Sequence, residues 1–162
     1  MLAKQIAFWV LAVLTAGSTV LTVAARNVVH AALGLGGALV GSAGIFLLFG
    51  AEFVGLAQIL IYVGAVVILF LFGIMLTSAA PGAAEVDNDQ RGVAAVVAAG
   101  VFIVLATGIV AAFGGRELDL DVAFPTSEIG ERLFTTWVLP FEAVSILLLA
   151  ALVGAIVLAR KD

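Results

Sequence analysis

Five long apolar runs, separated by charged or turn-forming residues, set the pattern of this chain. A helix needs roughly 20 apolar residues to cross about 30 Å of hydrocarbon, and every run is long enough. They cover residues 5–25, 28–49, 53–77, 92–113 and 136–159. Lys4, Arg26 and Glu52 bound the first two. A polar link at 78–91 carries Pro81, Gly82, Glu85, Asp87, Asp89 and Arg91, which is turn chemistry. The segment 114–135 holds Pro125 and seven charged residues and is expected to form a polar loop outside lipid. Of the charged residues only Glu142 falls inside a run, as the cost of charge in hydrocarbon requires. The pattern predicts an all-α integral membrane protein, a single domain over 1–162 with five transmembrane helices. The first run follows Lys4 but is too long for the apolar part of a signal peptide, so it is expected to be kept and to span.

Composition agrees. The 162 residues are 64% hydrophobic and 11% charged, with a mean hydropathy of +1.31; soluble domains carry about 25% charged residues. A net charge of −4 leaves no basic surface to neutralise phosphates, which excludes nucleic acid as a partner and leaves the lipid bilayer. Without cysteine there is no disulfide, thiolate metal site or iron–sulfur ligation, and one histidine cannot build a multi-histidine metal site. Any electron transfer is therefore expected on other chains. With the N-terminus outside, the inner ends carry Arg26, Arg91, Arg160 and Lys161, and the outer ends Lys4, Arg116 and Arg132. The positive-inside rule then predicts, by one residue, an external N-terminus and a cytoplasmic C-terminus.

Candidate chemistry lies in three helices. In the second, Gly34, Gly37, Gly41 and Gly44 make a small-residue stripe that lets another backbone approach closely; the frequency of glycine in membrane helices is the plainer reading. In the third, Gln58 and Tyr62 are four residues apart, hence on one helical face. Tyr62 lies roughly 14 Å along the span, near the bilayer midplane. There a phenol and an amide need partners, either an interhelical hydrogen bond or a polar path. After Tyr62 come Val63, Gly64, Ala65, Val66 and Val67, a stretch softened by glycine and β-branched neighbours. On the residues alone a straight α-helix is favoured, and a π-turn that rotates everything beyond it by roughly 100° stays open. In the fifth, Glu142 follows Pro140 by two residues, about 9 Å into the span. It reads either as a carboxylate complementing the helix N-terminus or as a protonatable group beside water. His30 is expected at the interface and Glu52 in a solvated turn.

A proton path across about 30 Å, at hydrogen-bond steps near 2.8 Å, needs something like ten relay positions. One carboxylate, one phenol, one amide and scattered Ser and Thr are too few for an autonomous pump. The composition suits a subunit that completes a path with its neighbours.

Three stretches carry a family resemblance: EFVGLAQILIYVGAVVILFLFGIML at 52–76, RNVVHAAL at 26–33 and LPFEAVSILLL at 139–149. They resemble the subunit J family of the proton-pumping NADH:quinone oxidoreductases, respiratory complex I, the bacterial counterparts of mitochondrial NADH dehydrogenase subunit 6. The resemblance implies a five-helix, non-catalytic membrane-arm subunit in the bacterial cytoplasmic membrane. Its neighbours would be the quinone-binding subunit, a small three-helix subunit and the antiporter-like subunits. FMN, iron–sulfur clusters and quinone would belong to other subunits, with no cofactor on this one. It also implies a π-bulge in the third helix, a conformational switch at Tyr62, Val63, Gly64 and Ala65, and a polar path with Gln58, Tyr62 and Glu142 as its candidates. The alternatives are the corresponding subunit of a membrane hydrogenase or cation antiporter complex, and a purely structural scaffold.

Overall fold

Tight turns join the first three helices, Leu2–Ala24, Val28–Leu48 and Glu52–Leu76, into consecutive antiparallel pairs. In this computed structural model, residues 2–77, 90–115 and 125–160 are described. Asn27 opens the second helix as its N-cap, with Oδ1 accepting from the Val29 N–H at 2.8 Å. Gly50 closes it. Its φ of 74° lets its own N–H reach the Leu47 carbonyl at 3.1 Å and the Ala51 N–H reach that of Phe46 at 2.9 Å, a pairing that only a left-handed residue provides cheaply. Glu52 is thus not a free turn residue: it is the first residue of the third helix, where its charge complements the dipole.

The second helix is the middle of this trio. Its buried residues, Ala32, Gly34, Gly41 and Ala43, are all small, as expected where lipid gives no hydrophobic drive and close backbone approach must hold helices together. The fourth helix, Arg91–Phe113, and the last, Val138–Ala159, are as long and apolar as the others. Among the described residues neither packs closely against the first three. Over 92–113 and 138–159 nearly all residues are exposed, Ala106, Val138 and Gly154 being half-buried, and this is the surface that lipid or other membrane helices must cover. Among the described residues five helices are long and apolar enough to cross a membrane, which makes this a multi-pass membrane protein.

The segment expected as a polar loop over 114–135 also holds a short helix, Thr126–Phe134. Its amphipathic pattern, with an Arg132–Glu128 pair at 2.7 Å on the polar side, was obscured by the density of charge around it. Phe134 meets Phe141 edge to face at 5.1 Å, which ties this helix to the start of the last one. Residues 116–124, and 78–89 of the link expected at 78–91, lie outside the described residues.

Candidate functional site

The third helix is not wound uniformly. It is α-helical over Glu52–Ala57 and Ile68–Leu76, and π-helical over Gln58–Val67. The soft stretch read from the sequence is therefore the site of wider winding, and Tyr62, Val63, Gly64 and Ala65 all lie within it. A methyl added at Gly64 would meet only the carbonyl of Ile59, five residues back on the same helix, at 3.4 Å. This glycine serves the winding of its own helix rather than a close approach to another helix of this chain.

Burial records the same event. The less exposed positions along the helix include Gly55, Gln58, Val63, Val67, Leu71 and Ile74. Beyond Gly55 their spacing is that of an α-helix except for one five-residue step, from Gln58 to Val63. Gly55 and Val67 are the helix's two buried residues among those described. Both face the second helix: a methyl at Gly55 would strike Leu47 at 2.8 Å, and one at Gly36 would touch Val67 at 3.5 Å. Twelve residues of ordinary α-helix would set Gly55 and Val67 about 120° apart, and one extra residue in the winding brings them within about 20°. The π segment is what sets Val67, rather than its neighbour in sequence, on the same side as Gly55.

The polar candidates are dispersed. Gln58 is partly buried, whereas Tyr62 is 51% exposed, because Val63 takes the place next to the second helix. The shared face expected for Gln58 and Tyr62 from their four-residue spacing is thus unequal in burial. Among the described residues neither side chain makes a hydrogen bond. Glu142 is exposed in the second turn of the last helix and is not brought to the third. Pro140 sits in that helix's first turn, where its missing N–H costs nothing. The hydroxyls of Thr15, Thr22, Ser42, Thr107 and Ser145 donate to carbonyls four residues back on their own helices, at 2.7–2.9 Å. Their protons are engaged within their own helices, leaving the oxygens as acceptors.

Gly34, Gly37, Gly41 and Gly44 lie against Thr22, Ser18, Thr15 and Leu11 of the first helix, in antiparallel order. What the sequence reading missed is the other small face of the same helix. Gly36 and Ala43 receive the third helix there, and the signal was a second glycine–alanine series seven residues apart among the first.

Comparison with known proteins decides the family. The model of NADH-ubiquinone/plastoquinone oxidoreductase chain 6 matches residues 18–158. The chain belongs to this family. It is 41% identical to the NAD(P)H-quinone oxidoreductase chain 6 of Leptolyngbya boryana over 97% of this chain and 80% of that protein. Its counterpart in a Synechocystis species is 39% identical over 98% and 82%. The F(420)H(2) dehydrogenase subunit J of Methanosarcina mazei is 39% identical over 96% and 90%. Membership covers the π segment, both small faces of the second helix and Glu142 in one matched stretch.

Proposed function

We propose that this chain is a non-catalytic membrane-arm subunit of a complex I-like quinone oxidoreductase. It couples quinone reduction on a neighbouring subunit to proton translocation through the winding of its third helix. The observation that supports this most is the π segment Gln58–Val67 at mid-span, beside the one tyrosine of the chain. In hydrocarbon every backbone group must be satisfied internally. A π segment can return to α without an unpaired intermediate loop, so it offers two complete states. Each change of state rotates Ile68–Leu76 and re-aims Tyr62 relative to its surroundings.

Relatives named for NAD(P)H and for F(420)H(2) resemble this chain to a similar degree, which favours a role that does not depend on the electron donor. FMN, iron–sulfur clusters and quinone then belong to neighbouring subunits, and Gln58, Tyr62 and Glu142 contribute to a hydrated path completed by them. An odd number of crossings supports termini on opposite sides, and the four-to-three positive-inside tally supports an external N-terminus in a cytoplasmic membrane.

The test is Gly64→Ile in the assembled complex. Quinone-coupled turnover and pumping fall, while donor oxidation by an artificial acceptor is retained. A parallel loss of assembly and all activity supports a scaffold instead, and unchanged coupled turnover refutes the switch.

A further inference from the structure

The winding of the third helix decides which side chain meets Gly36, and the sequence supplies the same side chain for either winding. Val67, 6% exposed, occupies that position in the structure. Remove the extra residue of the π segment while Gly55 stays on Ala43 and Leu47, and everything beyond turns by about 100°. The residue brought to Gly36 is then Val66, which is 47% exposed in the π state. By the same one-residue step Tyr62 takes the place of Val63, Phe70 that of Leu71, and Gly73 that of Ile74. Those three places change size and only the one at Gly36 does not. The face that would turn inward is already an apolar groove, lined by Val66, Phe70, Gly73 and Thr77 with Leu69 and Ile74.

We propose that Gly36 and the Val66–Val67 pair form a seat for two registers, in which a valine fills the same notch in either winding. This rests on the reading that the third helix changes winding, and adds how its packing stays indifferent to the change. Between membrane helices, contact is held by shape, and valine keeps one preferred rotamer in a helix. Equal occupants make this contact neutral, so the choice of register passes to groups beyond it, Tyr62 among them. A longer side chain at either position overfills the notch in one register only.

The chain has no cysteine, so none of its own thiols competes with introduced pairs. In the assembled complex in native membranes, Gly36→Cys is combined with Val67→Cys, with Val66→Cys, or with Phe72→Cys, exposed and on the far side of the helix in either winding, as a control. Both valine positions crosslink to position 36 and the control does not. Adding Val66→Leu to the 36–67 pair raises its yield several-fold, and adding Val67→Leu does the same for the 36–66 pair. Position 66 crosslinking no better than position 72 overturns the seat. If a 36–67 crosslink then still stops coupled turnover, the switch stands without this seat. If both positions crosslink and turnover is indifferent to the lock, the seat stands and the switch does not. Independently of any change at Gly36, maps of the complex carrying Val67→Leu and Val66→Leu show α and π winding respectively. The same winding in both overturns the proposal.

Discussion

Gly41 of the second helix lies so close to Thr15 of the first that a methyl on the glycine would run into the threonine hydroxyl. Thr15 cannot swing aside freely, because its Oγ1 donates to the Leu11 carbonyl at 2.7 Å. The same closeness recurs at Gly37 and Ser18, where the methyl would sit 2.7 Å from Oγ, and at Gly44 and Leu11. Phe8 and Phe49, 6.1 Å apart, close the end of this pair. The second helix is thereby held on one side and free to act as a fixed reference for the third on its other side.

Gly41→Leu should therefore separate the first two helices. Overpacking of this kind costs about 1–3 kcal/mol, and the amount of assembled complex on a native gel should fall. Gly17→Ala, where nothing lies within 4 Å of the added methyl, should leave assembly unchanged.

Gly64→Ala tests the winding more gently than isoleucine. The methyl fits at 3.4 Å from the Ile59 carbonyl, but alanine stabilises helix by about 1 kcal/mol over glycine. Coupled turnover should change by no more than a few-fold, and by less than in Gly64→Ile, with assembly intact.

Tyr62→Phe removes the mid-span phenol and leaves its bulk. A single interhelical hydrogen bond averages about 0.6 kcal/mol, equivalent to roughly a threefold effect. A loss of pumping well beyond that, at unchanged complex abundance, is expected if the phenol lies on the proton path. Pumping measured with a pH-sensitive dye decides between them.

Glu142→Gln keeps the shape and removes the charge. As a dipole partner near the helix start it would be worth about 0.3–1 kcal/mol of stability and nothing in proton transfer. The expected outcome is lower pumping per electron in reconstituted vesicles with near-normal assembly. A shift in thermal stability alone would assign Glu142 to the helix terminus.

Asn27→Ala should cost about 1 kcal/mol through the lost N-cap. It should lower the temperature at which the complex dissociates and leave coupling per turnover unaltered, because the cap lies far along the sequence from the π segment.

The five apolar spans and the glycine stripe could be read from the sequence because each depends on local content. Apolar length sets a span, charge ends it, and small residues at helical spacing mark a close contact. The soft centre around Gly64 was legible for the same reason. The short helix at Thr126–Phe134 was hidden because nine amphipathic residues beside many charges look like loop until the Phe134–Phe141 contact anchors them.

What the sequence by itself determined was which stretches are long and apolar enough to cross a membrane and where the third helix is soft. There the residues alone favour a straight helix and leave a π segment open, since both satisfy every backbone group and differ little in local preference. The tertiary structure decided it. In the observed winding Val63, Leu71 and Ile74 take the less exposed places that Tyr62, Phe70 and Gly73 would hold in a straight helix, and those places differ in size, whereas the one at Gly36 receives a valine either way.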